Sequence, residues 1–355
     1  PAIPEELSSL FPHYSSCLTE VGVGKASYLE MQALQASISG GLNAHISIRN
    51  KLNDTQALDA YMILGSKALY ANQAELSSLM KDLLDNCRFD ELSRLKELLQ
   101  QIASHKEQSV TSQGHVLAMG VAASKMNPKA ALSYKNSGMA GILRLKKLVE
   151  DSRDDKLMAD YAEKLQQLHQ LIMQGDKRLL CIAEANEKEP LIRSLTDLWS
   201  DAQNQTDMEP FSLDPVHENT REAWLCNSQV NFCALAYPTV ASEHEDAAAL
   251  TVLGGFLRNG FLHGAIREQG GAYGGGASQD SGSASFRFFS YRDPRLSETL
   301  NDFDNALNWL QDKQHSYSQL EEAILGVISS LDKPASPAGT AKQAYYNGLF
   351  NRGKE

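Results

Sequence analysis

The sequence predicts an α+β fold in two units. Each unit reads strand, helix and strand without the regular βαβ alternation that builds a parallel sheet. Leucine stripes at helical spacing fill residues 72–174. Between the units, residues 203–219 become rich in Gln, Asn, Thr, Asp and Pro, the composition of a connector. The expected division is a first unit over 1–205 with a helical insertion at about 72–174, a linker over 206–219 and a second unit over 220–355.

Each element follows from its residue pattern. Leu7, Leu10, Phe11, Tyr14 and Leu18 keep i, i+3, i+4 spacing, so residues 5–21 read as a helix. Ser27 can cap a second helix over 27–38, which Gly40-Gly41 ends. Leu42, Ala44, Ile46 and Ile48 alternate along a half-buried strand. Asn53-Asp54 turns the chain, and residues 57–70 read as a partner strand leading into a helix. Three apolar stripes follow, on Leu76 to Leu84, Leu92 to Ile102 and Leu157 to Ile172, with a break at Asn127-Pro128. No strict heptad persists in them, so they read as core rather than as a coiled-coil seam. Arg178 to Glu184 reads as a buried strand and 187–203 as a polar helix. In the second unit, Trp224 to Ala236 alternates as a long strand over Glu222–Tyr237, which Pro238 closes. A helix over 246–266, a strand over Ala284–Tyr291 and helices over 297–311 and 318–331 follow. Beyond Asp332 the pattern is loop-like.

Composition excludes several functions. The 355 residues, 42% apolar and 22% charged, suit a globular protein with a sizeable core. A net charge of −11 argues against a nucleic-acid partner, which needs a basic face. No apolar run approaches the roughly 18 residues of a membrane-spanning helix. The chain opens on Pro-Ala-Ile-Pro, without an initiator Met or a targeting signal, as an excised piece would. Its five cysteines are odd in number and scattered, which favours free thiols and a reducing compartment, the cytoplasm first; without a spanning run, a soluble protein is expected.

The chemistry concentrates in Ala265 to Ser278. Five of the 24 glycines lie between Gly270 and Gly276. Glycine admits close backbone approach because it has no Cβ. Gly270, Gly271, Ala272, Gly274, Gly275 and Gly276 would thus form a floor for an extended peptide, with Arg267 and Tyr273 to grip its carbonyls. On residue type alone, such residues are more often a surface arginine at a helix end, for Arg267, and a packed strand aromatic, for Tyr273.

Arg267-Glu-Gln-Gly-Gly-Ala-Tyr273-Gly-Gly-Gly resembles the arginine and tyrosine motif in the C-terminal half of the insulinase/pitrilysin family of zinc metallopeptidases, most of all its presequence protease branch. Thr19 to Gly24, Asp332 to Gly339 and Tyr346 to Phe350 support the resemblance, which covers nearly the whole chain. It implies two related domains of the insulinase/mitochondrial-processing-peptidase type, with mixed sheet and flanking helices, forming half of a clamshell. It implies that the zinc lies in a separate N-terminal half, which would be the partner of this chain, and that short unfolded peptides are the substrate. It also implies catalytic roles for Tyr273, as a donor to the oxyanion, and for Arg267, as a grip on substrate carbonyls or carboxylates.

The histidines fit that placement of the metal. None of the nine has a second histidine four residues on, so there is no His-x-x-Glu-His or His-Glu-x-x-His. No cysteines are spaced C-x-x-C, and no cofactor site is expected in this chain. Gly270 to Gly276 has no following Lys-Ser/Thr and follows a helix, which disfavours a phosphate loop. No serine sits in Gly-x-Ser-x-Gly. The leading expectation is a non-zinc, substrate-binding half that is inactive alone. The alternatives are a catalytically dead subunit of the same fold, acting as a peptide binder or scaffold, and a peptide-binding module unrelated to proteolysis.

Overall fold

A computed structural model describes residues 1–200, 209–312 and 314–352. Two apolar cores organise them. The first is built on Tyr14, Leu18, Leu83, Leu95, Leu99, Met158, Leu165 and Leu168, all essentially without solvent exposure. Short helices α1 (Glu5–Ser8) and α2 (Phe11–Cys17) enter it, split by a turn at Ser9-Leu10 where one helix was expected. Helix α3 (Tyr28–Ile38) starts on a capping box, with Glu30 N–H donating to Ser27 Oγ and Ser27 N–H to Glu30 Oε2. Strands β1 (Leu42–Asn50) and β2 (Leu58–Ser66) pair antiparallel with Ile46 opposite Met62. This register puts Ala44, Ile46, Ile48, Ala60, Met62 and Leu64 on one face, against the core.

Helices α4 (Gln73–Asn86), α5 (Leu92–Ser112), α6 (Gly114–Ala122), α7 (Pro128–Ser137), α8 (Met139–Asp151) and α9 (Asp155–Met173) follow, helical throughout as the stripes predict. Asn127 caps α7 by accepting from Ala130 N–H at 2.9 Å, and Pro128 occupies its first turn, where a missing N–H costs nothing. One polar link crosses this core. The Leu84 carbonyl accepts from His169 Nε2–H at 2.9 Å, so Nδ1 is left to accept from the Tyr14 hydroxyl at 2.9 Å.

The second core holds Leu257, Leu262, Ile266, Phe288, Phe303 and Ala306. Its sheet has the order β3-β5-β4, antiparallel throughout, from β3 (Ala234–Pro238), β4 (Gly274–Asp280) and β5 (Ser285–Tyr291). Helix α10 (Lys188–Leu198) packs on α4 of the first unit. Helix α11 (Ala247–Leu257) packs on β4, where a Cβ on Gly254 would stand 3.0 Å from the Ala277 carbonyl oxygen. The helix continues without a break as a π-helical segment, Arg258–Gln269. Helices α12 (Ser297–Asp312), α13 (Tyr317–Leu331) and α14 (Pro337–Leu349) complete the chain.

Three expectations are corrected. Arg178–Glu184 is not a buried strand but exposed coil, with Leu179, Leu180 and Ile182 in solvent; no described sheet edge takes up its backbone. The long strand over Glu222–Tyr237 shrinks to Ala234–Pro238. Its partner β5 ends at Tyr291; past Arg292, whose φ of +50° interrupts the ladder, a single bridge from Asn231 to Asp293 remains, and residues 222–230 pair with no described strand. The loop beyond Asp332 contains α14, capped by Ser336 Oγ accepting from Gly339 N–H at 3.1 Å and with Pro337 in the first turn.

Of the expected linker, residues 206–208 lie outside the described residues. Residues 209–219 form neither helix nor strand and lie against the first core: Phe211 is buried in it, and Val216 N–H donates to Gln56 Oε1 at 2.9 Å. The two units meet where α6 packs on β3 and β5 and at the tip of the β4–β5 hairpin. Asn50 Nδ2 donates to the Gly282 carbonyl at 2.9 Å, and Asn127 Nδ2 to that of Ser283 at 3.2 Å.

Candidate functional site

The π-helical segment ends in a turn that presents both candidate side chains. Gly271 N–H donates to the Arg267 carbonyl and Ala272 N–H to that of Ile266, both at 3.1 Å. This is the carbonyl-satisfying closure of a helix C-terminus, one residue wider than its α-helical form. It needs a left-handed residue, and Gly271 supplies it with φ +77°. Ala272 then drops its methyl into the second core, and Tyr273 emerges on the other side, 67% exposed.

Arg267 is also exposed, and its guanidinium lies 6.0 Å from the centroid of the Tyr273 ring. The two residues at the ends of the motif are therefore neighbours on one surface. The glycines between them divide. A Cβ on Gly270 would collide with the Arg295 guanidinium and the Ile266 carbonyl. One on Gly275 would come within 2.8 Å of Ile266 Cγ2, and one on Gly276 within 3.1 Å of Arg258 Cδ. At these three positions the missing side chain is replaced by the chain's own atoms. Gly274 differs: nothing stands within 4 Å of its Cβ position. It opens β4, an edge strand whose outer side pairs with no other described strand.

The loop after β5 supports this turn from below. Buried Asp293 accepts from Thr299 Oγ1 at 2.7 Å and from Arg295 N–H at 2.9 Å. Arg295 spans from Asp302, at 3.0 Å, to the Ala265 carbonyl, at 3.3 Å. Sequence reasoning passed over these residues, since nothing local ties residues 293–302 to residues 265–271.

Tyr291 was missed as well. Its ring meets that of Tyr273 edge to face, centroids 5.6 Å apart at 85°. His115 lies on Tyr291 at 4.7 Å, and burial lowers its pKa below the ordinary imidazole value. A strand-end tyrosine in the aromatic run Phe286 to Tyr291 reads as core, so the sequence held no separate signal for it. Among the described residues, no group of three or more His, Cys, Asp or Glu gathers where a metal ion could be held. No described helix is long and apolar enough to cross a membrane.

Two family models match the chain. One, described as associated with the peptidase family M16, subgroup C, matches residues 1–148, and one described as "PreP C-terminal domain" matches residues 221–355. The mitochondrial presequence protease of Danio rerio is 28% identical over 382 aligned positions, covering 100% of this chain but 37% of that protein. The chain thus spans about a third of the length of the curated relatives it matches. These relatives are described as mitochondrial, which gives the cytoplasmic expectation no support. Among solved structures, a conserved protein from Enterococcus faecalis V583 superposes with a TM-score of 0.63 at 14% identity, covering 98% of this chain and 82% of its own. A peptidase M16 inactive domain from Pseudomonas fluorescens does so with a TM-score of 0.60 at 14% identity, covering 96% and 77%. At that identity the likeness is one of fold, and the fold is the α+β arrangement described above.

Proposed function

Since the chain belongs to the peptidase M16 family, in its presequence protease branch, we propose that it is the non-zinc, substrate-gripping half of an endopeptidase that degrades short unfolded peptides. The two matched segments and the relatives' description as presequence proteases support the peptidase class. The fraction of each relative that the chain covers supports a missing N-terminal half as its partner. The zinc of the parent would reside there, where its chemistry is to polarise the scissile carbonyl. The described residues of this chain do not fit it, because no ligand set converges. The isolated chain is accordingly expected to be inactive.

The observation that carries the reading is the exposed pair Arg267 and Tyr273. A phenol 67% in solvent contributes little to its own core, yet a dedicated glycine turn projects it beside a guanidinium. Across a closed chamber, the hydroxyl of Tyr273 would donate to the oxyanion developing on the scissile carbonyl. Arg267 would hold a neighbouring carbonyl or carboxylate through its planar fork. The open side of Gly274 and the free edge of β4 would admit an extended backbone by β-addition.

The test is Tyr273→Phe in the parent containing both halves. Only a hydroxyl is lost, so folding and ground-state affinity stay as they were. Turnover should fall roughly 10²–10³-fold, the cost of one such donor, in kcat rather than KM. Arg267→Ala should raise KM as well. Full turnover in Tyr273→Phe would return Tyr273 to a surface role.

A further inference from the structure

We propose that Tyr291 is a positioning residue through which the junction of α5 and α6 holds the Tyr273 ring in place; this rests on the role given above to Tyr273. An exposed tyrosine at the end of a glycine turn has two free rotors and few neighbours to stop them. Here the neighbours are specific. The Tyr273 backbone N–H donates to the Arg292 carbonyl at 3.3 Å, which fixes where the side chain leaves the chain. Beside its ring stand the guanidinium of Arg267, 6.0 Å from the centroid, and the edge-to-face ring of Tyr291, at 5.6 Å. Arg267 is itself exposed and long, so it cannot fix a rotamer alone. Tyr291 can, because it is held on three sides.

Its position is set by β5, where Tyr291 pairs with Gly274 in register. Its hydroxyl donates to the Ser112 carbonyl, at the last residue of α5, at 3.3 Å. Its ring packs against His115 in the first turn of α6 at 4.7 Å, and against Phe232 at 5.8 Å. The Phe232 ring in turn occupies the space beside Gly114, where a Cβ would collide with it. The first-unit helices therefore reach across to the second sheet and close on the residue beside Tyr273. Edge-to-face geometry favours a definite mutual orientation of the rings, which is what a donor aimed at a developing charge requires.

Two measurements test this, one without any activity. In this chain with ¹³C-labelled tyrosine rings, the Tyr273 resonances are identified by their loss in Tyr273→Phe. They should shift when Tyr291→Leu removes the neighbouring ring current, and stay near their original positions in Tyr291→Phe, which keeps the ring. Tyr273 resonances that do not move in Tyr291→Leu would overturn the proposal. In the two-half parent, Tyr291→Leu should lower kcat roughly 2- to 10-fold, the size of an edge-to-face contact, with KM nearly unchanged. The same substitution should do nothing further in a Tyr273→Phe background, because its effect passes through the missing hydroxyl. Equal losses in both backgrounds would overturn it, Tyr291 then acting on the fold at large. Failure of the catalytic reading looks different: Tyr273→Phe alone would keep full turnover while the resonance shift in the isolated chain persisted.

Discussion

Replacing the glycines of the motif one at a time separates packing from presentation, and the isolated chain can report it. Gly275→Ala places a methyl 2.8 Å from Ile266 Cγ2, 3.1 Å from Ile266 Cδ1 and 3.1 Å from the Phe289 carbonyl oxygen. Ile266 is fully buried and β-branched, and Phe289 belongs to the central strand, so neither yields easily. Overpacking of this kind costs about 1–3 kcal/mol. Gly274→Ala, one residue earlier, meets nothing within 4 Å. Its backbone is outside the left-handed region, so the methyl chiefly narrows the unfolded ensemble and should stabilise by about 0.4–1 kcal/mol. Gly271→Ala has room but must hold φ at +77°, at about 1–2 kcal/mol. Urea unfolding followed by far-ultraviolet circular dichroism gives all three. At about 2–4 °C per kcal/mol for a unit of this size, melting curves separate Gly275→Ala from Gly274→Ala by several degrees. The packing argument is refuted if Gly275→Ala matches the wild type, or if Gly274→Ala is the least stable of the three.

In the first core, Leu165→Ala removes a side chain without solvent contact and should cost about 2–5 kcal/mol; a loss under about 1 kcal/mol in urea unfolding would mean that the site is not packed as described. Buried His13 has an unpartnered Nδ1, and burial takes its pKa from 6.5 down to about 4. The unfolded chain then binds the proton first as pH falls. The stability attached to His13 is complete above about 6.5 and is lost progressively towards 4, by up to about 3 kcal/mol. His13→Phe should flatten stability against pH in that window, and equal slopes for variant and wild type would refute the assignment.

How much of the molecule can be read in its sequence depends on the range of the cause. Ser27 reads as a helix cap and Asn127-Pro128 as a break in the helical run; Ser27 caps α3, with Glu30 three residues on, and the run breaks before α7 starts at Pro128. The leucine stripes were equally legible because helical spacing is local, and Leu79, Leu83, Leu95, Leu99 and Leu165 are buried by it. Strands depend on a partner edge. Arg178–Glu184 and residues 222–230 have strand-like composition, but no described strand pairs with them, and they stay coil with Leu225 fully exposed. Ser336-Pro337 was a helix start hidden in a stretch that otherwise reads as loop. At the candidate site, the shared motif singles out Arg267 and Tyr273, and the fold places them side by side. The contact of Tyr273 with Tyr291 joins β4 to β5 across a hairpin, and the bond from Tyr291 to Ser112 joins residues 179 apart. No local pattern encodes either.

The same division narrows what a peptide could meet on this chain under the proposed function. A run rich in glycine invites the view that all of it is floor. Yet Gly270 is filled by Arg295, Gly275 by Ile266 and Gly276 by Arg258, while Ala272 belongs to the core. Their small size is accounted for by folding: the π-helical segment, the edge strand and the loop at Asp293 could not otherwise lie so close. What folding leaves unused is a short surface of Arg267, Tyr273, the open side of Gly274 and the outer edge of β4 that begins there. Under the proposed function, a bound chain in extended form would register on that edge from Gly274 onward, with its reacting carbonyl over Tyr273 and the adjoining residue within reach of Arg267. The strand geometry sets the scale, since one residue of extended chain advances about 3.3 Å. The Arg267 guanidinium lies 6.0 Å from the tyrosine ring, about the advance of two such residues, so under the proposed function the two side chains address nearby carbonyls of one peptide.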